Sequence, residues 1–199
     1  MTIKKSNWKN WLSNWSRWLH IYLSMFSFVI VLFFSVTGLT LNHLDWFPEK
    51  EVLNEQEGKM PANWVNVSDT AQIKKLEIVE LFRKDFQVKG LVNDFRIDDR
   101  EVSISFQGPG YTADVFIQRE DGKFHLSTRE LGTIAFLNDL HKGRDTGKVW
   151  SWVIDISAIF LVIISLSGLI LLLFLKKRRW SGLTWMLIGL LIIGLLYYL

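Results

Sequence analysis

The stretch 136-FLNDLHKGRDTGKVWSWVIDISAIFLVIISLSG-168 decides how the rest of the chain is read. It sets His141 beside a turn of Gly, Arg, Asp and Lys, then enters a long apolar run with one carboxylate, Asp155. A second histidine, His43, stands just past the other long apolar run, 18-WLHIYLSMFSFVIVLFFSVTGLTL-41. Both histidines fall at what should be the same face of a membrane. Two imidazoles at one depth on neighbouring helices can hold a haem iron.

Working outward, hydrophobic residues make up 49% of the 199, gathered in blocks rather than spread as in a globular core. The net charge of +3 conceals segregation. Lys4, Lys5, Lys9 and Arg17 stand without an acid in residues 1–17, and Lys176, Lys177, Arg178 and Arg179 form a second basic cluster. Residues 43–148 hold 15 basic against 19 acidic residues. This pattern follows membrane topology and gives no reason to expect nucleic acid as a partner. The absence of cysteine removes thiolate-held iron–sulfur clusters, c-type haem attachment and zinc–thiolate sites. A tightly held redox metal would have to use His20, His43, His125 or His141.

Trp8, Trp11, Trp15 and Trp18 fall on one helical stripe, with Lys9 and Arg17 on other faces. Residues 1–17 therefore read as an amphipathic interfacial helix lying on the headgroups, with a partner-docking helix as the competing reading. Residues 18–42 read as the first transmembrane helix, since residues 18–41 alone rise about 36 Å. A cleaved signal peptide is the alternative, but its usual apolar core of roughly 7–15 residues is shorter. Residues 148–175 form the second span, 176–182 a basic cytoplasmic loop, and 183–199 a third, short span. The positive-inside rule puts the N-terminus in the cytoplasm and segment 43–147 in the periplasm, with the C-terminus on that outer side.

Within 43–147, residues up to about 67 read as irregular, broken by Pro48, Gly58 and Pro61. Residues 69–86 read as an amphipathic helix. VNDFRID, EVSISF, YTADVFIQ and KFHLSTRE read as an antiparallel meander. Residues 131–141 return to helical spacing, ended by Gly143. The predicted architecture is an α-helical membrane protein with three transmembrane helices, an N-terminal interfacial helix and a small α+β periplasmic domain.

Along the spans, His20, Ser24, Ser27, Val31, Ser35, Gly38 and Asn42 form one stripe, and Ser151, Asp155, Ala158, Val162 and Ser165 another, with Gly168 nearby. Small residues let helices approach closely, so these stripes are expected to face each other. The tags 35-SVTGLTL-41 and 165-SLSGLIL-171 run in opposite directions, as in a faint inverted repeat. Any apolar helix also collects such residues. Asp155 is costly at its depth and needs a partner or a purpose. It is either an acceptor for a ligating histidine or a structural cap on Ser151 or the loop. Lys142, Arg144 and Lys148 lie around His141 in sequence and could pair with haem propionates. His20 is at the inner face, and His125 reads as a strand surface residue.

The motifs Trp18-Leu-His-Ile-Tyr-Leu-Ser, Thr37-Gly-Leu-Thr-Leu-Asn-His43, Leu140-His-Lys-Gly-Arg-Asp-Thr-Gly-Lys-Val-Trp-Ser-Trp-Val-Ile-Asp155 and Ser165-Leu-Ser-Gly together resemble the PepSY-associated transmembrane-helix family. The resemblance covers nearly the whole chain, with the middle segment similar to a single PepSY domain. Larger relatives include inner-membrane siderophore-iron reductases carrying b-type haems on transmembrane histidines. Small members are associated with extracytoplasmic flavoproteins. The resemblance implies His43 and His141 as ligands of one haem b, with His20 a candidate for a second haem in an oligomer. Three spans and four histidines are fewer than in the large reductases, which implies a homodimer or a membrane redox partner. The resulting expectation is electron delivery through the lipid bilayer to a ferric siderophore or flavoprotein, as part of a membrane ferric/siderophore reductase or similar system. The alternative is a cofactor-free anchor whose PepSY-like domain binds or regulates an envelope protease or other periplasmic partner.

Overall fold

The computed structural model describes residues 7–48 and 51–198. Its first element is one unbroken helix of 36 residues, α1 (Asn7–Asn42). Neither Gly nor Pro occurs between Asn7 and Thr37, so nothing interrupts the backbone ladder, and the helix extends about 54 Å. This corrects the expected separate interfacial helix over 1–17. Trp11, Trp15 and Trp18 instead form an exposed ladder on α1 itself, successive ring centroids lying 5.8 Å apart. Lys4 and Lys5 lie outside the described residues.

Two further helices, α4 (Gly147–Phe174) and α5 (Arg179–Tyr198), follow a central domain. All three long helices have the length and apolar composition needed to cross a membrane. The chain divides into two compact units, one of residues 1–33 with 155–199 and one of residues 34–154.

In the first unit, Ser16 and Ser27 are buried on α1, and Ser157, Ile164 and Ser167 on α4. Phe26 meets Phe160 edge-on at 5.3 Å. The expected facing stripe on α4 is therefore displaced, because Asp155, Ala158, Val162 and Ser165 are exposed. Small residues occur on two faces of α4, and the face that also carries Gly168 admits the closer neighbour.

The second unit is built on a five-stranded antiparallel sheet. Its strands are β1 (Val52–Lys59), β2 (Leu91–Ile97), β3 (Glu101–Gly108), β4 (Tyr111–Gln118) and β5 (Lys123–Glu130), in the order β1-β5-β4-β3-β2. The alternation in β3 buries Val102, Ile104 and Phe106 against Ile78 and Phe82 of α2 (Lys75–Asp85). The four-strand meander was legible from such alternation. β1 was not, because VLNEQEGK is polar on both faces, as suits an exposed edge strand. Residues 52–59 are thus a strand and not irregular chain. The helix expected from residue 69 begins at Lys75, since Asp69 accepts the Ala71 N–H (2.9 Å) and caps a short 3-10 turn over Thr70–Gln72.

Phe124 of β5 packs edge-on to Phe82 and Phe86 and lies across Gly58 of β1. A Cβ at Gly58 would stand 2.5 Å from the Phe124 ring, which its neighbours hold in place. Gly58→Ala should destabilise the protein by about 1–3 kcal/mol, measured by denaturant unfolding followed through the sheet signal. Burial pushes the Tyr111 phenol above its ordinary pKa, opposed in part by the Lys89 backbone N–H. The fold therefore favours the neutral phenol. That contribution is present below pH ~10 and is lost as pH rises through the raised value. Tyr111→Phe should flatten the alkaline fall in thermal midpoint.

Candidate functional site

Helix α3 (Thr133–Lys142) brings His141 into its last turn. Gly143 ends the helix in the left-handed conformation, φ +68°, and the Arg144 N–H closes it on the Asp139 carbonyl (3.0 Å). Two further bonds fix the helix. The Trp150 indole N–H donates to the Leu140 carbonyl (2.7 Å), and the Gly110 N–H donates to the Asp139 carboxylate (2.9 Å). Thus the sheet's β3–β4 turn and the start of α4 both hold the helix that carries His141.

So held, His141 places Nδ1 2.6 Å from Thr37 Oγ1, with the Phe34 ring edge-on at 5.0 Å. Gly38 opens the surface beneath it, where even a Cβ would lie 3.6 Å from His141 Cε1. One turn earlier, buried Asn138 sits with Oδ1 2.7 Å from Thr40 Oγ1, while its Nδ2 has no partner. The Thr40 hydroxyl also lies 2.9 Å from the Thr37 carbonyl, and its one proton serves only one of the two acceptors. Turning the amide over would let Nδ2 donate to Thr40 and leave Oδ1 as the atom without a partner.

His43 follows the end of α1 and stacks face to face on Trp46, centroids 3.8 Å apart and planes within 10°. The Asn42 amide nitrogen lies 3.3 Å from its Nε2. Thr37 precedes His43 by six residues, about 9 Å of helix rise. The two imidazoles have different neighbours, Trp46 for His43 and Thr37 with Phe34 for His141. α3 lets His141 reach back to Thr37, whereas the 3-10 turn Leu44–Trp46 draws His43 onto an indole.

In the other unit, His20 places Nδ1 3.2 Å from Ser167 Oγ. The Ser16 hydroxyl donates to the Ser167 carbonyl (3.1 Å). A Cβ on Gly168 would stand 2.9 Å from His20 Cε1. Asp155 is exposed, opposite the buried Ser157 and Ile164, and has no hydrogen bond or ion pair among the described residues. Lys142, Arg144 and Lys148 are exposed, and His125 is half-exposed near Glu57 (3.6 Å). Among the described residues no three of His, Asp or Glu gather as a metal-holding group. Sequence reasoning missed Thr37, Asn138 and Ser167 as neighbours of the histidines. The one signal for two of them was the shared tag around Thr37-Gly38 and Ser167-Gly168.

No curated protein and no solved structure matches the chain. A family model described as "Putative PepSY_TM-like" matches residues 14–199. That match covers α1 from residue 14 onward, the other two long helices, the sheet and every residue of both histidine environments, so the chain belongs to the PepSY_TM-like family.

Proposed function

We propose that this protein binds haem b in the bacterial inner membrane and passes electrons to a periplasmic acceptor, with His141 as an axial ligand. The observation that carries the reading is the state of that imidazole. Its Nδ1 is held by Thr37, while its Nε2 makes no hydrogen bond among the described residues. Metal-bound histidines are commonly oriented in this way through their other nitrogen. The donor set fits a porphyrin better than a bare ion, because the macrocycle supplies four nitrogens and the protein need add only one or two imidazoles. Asn138 contributes a second argument, since a buried amide atom without a partner calls for one.

When bound, haem would supply one-electron chemistry at a potential tuned by its ligands. The chain's own residues orient the imidazole through Thr37, limit water through Phe34, and offer the Arg144 and Lys148 cations to propionates. His43 is the second ligand candidate, once its ring leaves Trp46. The basic clusters support a sheet domain outside the cytoplasm. The donor would be cytoplasmic or a quinol, and the acceptor ferric-siderophore iron or a flavoprotein. His20 would serve a second haem in an oligomer. A second reading, a cofactor-free anchor that captures an envelope partner, is favoured by β1, an eight-residue exposed edge strand open to strand addition.

Protein purified from haem-replete cells should give a reduced-minus-oxidised b-type spectrum. His141→Ala should abolish it, His43→Ala should convert a low-spin to a high-spin signal, and His125→Ala should change nothing. A colourless wild type, or a spectrum that survives His141→Ala, overturns the haem reading and leaves the anchor.

A further inference from the structure

The same local arrangement occurs twice, with the two helices exchanging roles. On α1, Thr37 meets the Nδ1 of His141 and the next residue, Gly38, lies under that ring. On α4, Ser167 meets the Nδ1 of His20 and the next residue, Gly168, lies under that ring. α1 thus receives the histidine of the helix that leads into α4, and α4 receives a histidine of α1. The hydroxyl–glycine pairs sit at equivalent places in the tags 35-SVTGLTL-41 and 165-SLSGLIL-171.

The hydroxyl protons decide what each seat does. Ser167 donates to the Ile164 carbonyl at 2.7 Å, and Thr37 to the Phe34 carbonyl at 3.4 Å. A hydroxyl has one proton, and where that proton goes to the carbonyl one turn back, the oxygen is left to accept from the ring that faces it. Both hydroxyls are buried, which leaves little water to compete for either bond. We infer that Thr37–Gly38 and Ser167–Gly168 are two copies of one imidazole seat, in which the hydroxyl fixes its histidine as the Nδ1–H tautomer and presents Nε2 as a lone-pair donor to an iron centre. Thr37 and Ser167 are positioning residues; Gly168 sets how closely the His20 ring approaches, while Gly38 leaves His141 room that a Cβ would not close. The nature of the ligand rests on the haem reading above; the tautomer does not.

Nitrogen-15 spectra of the full chain, produced without haem and held well above the ordinary imidazole pKa of about 6.5, test the tautomer directly. His20 and His141 should both carry the proton on Nδ1, whereas His43 and His125 serve as internal comparisons. Thr37→Val should mix the tautomers of His141 alone, Ser167→Ala those of His20 alone, and Thr37→Ser should restore the wild-type pattern. In haem-loaded protein, Thr37→Val should weaken haem affinity at the His141 site about 10–100-fold and raise its reduction potential. Gly168→Ala should shift the His20 signals, since a Cβ there stands 2.9 Å from the ring, while Gly38→Ala should leave His141 in place. Wild-type rings protonated mainly on Nε2, or populations unmoved by the substitutions, overturn the seats. Correct tautomers in a protein that takes up no haem would uphold the seats and overturn the haem reading.

Discussion

A buried hydroxyl held against an imidazole is the interaction on which the rest of this structure depends. In a bilayer, a polar atom that loses its partner finds no water to replace it. Thr37 and Ser167 are therefore constrained at both ends, by the carbonyl one turn back and by the ring in front. Each bond joins segments far apart in sequence, 104 residues for Thr37–His141 and 147 for His20–Ser167. They specify which faces of α1 and α4 meet their histidines more sharply than apolar packing can, because lipid tails compete with apolar side chains on nearly equal terms.

The sheet serves one of these contacts. The β3–β4 turn grips α3 through Asp139, and Trp150 grips its last turn, so His141 is fixed from the backbone outward. Asn138 and Thr40 repeat one turn along what Thr37 and His141 begin, giving two polar rungs between α1 and α3. One amide atom is left over, and a buried polar group without a partner carries a cost that a bound acceptor or donor would relieve. The small sheet is thus also a platform for His141.

Asp155 is a different case. A carboxylate within an apolar span is costly, yet here it lies on the exposed face of α4, away from the buried serines. Beside the His20 and His141 rings stand uncharged hydroxyls and not this carboxylate. A neutral acceptor imposes less desolvation than a carboxylate at the same place, while still fixing the ring.

The sequence by itself determined the three apolar spans, the four-strand meander, the helix ended by Gly143 and the membership of His20, His43 and His141 in a short list. Local periodicity and turn chemistry carry those features, and they act over a few residues. It also held the SVTGLTL and SLSGLIL tags in plain view, without saying what they receive. Only the tertiary structure decided that Ser157 and Ser167, not Asp155 and Ser165, turn inward, that β1 completes the sheet edge, and that His43 stacks on Trp46. The inward turn of Ser167 depends on Ser16 and His20, 151 and 147 positions away, and β1 depends on a distant partner strand, β5, so no local pattern can register either. His43 is drawn onto Trp46 by the 3-10 turn between them, a local contact whose geometry the residue types alone do not give.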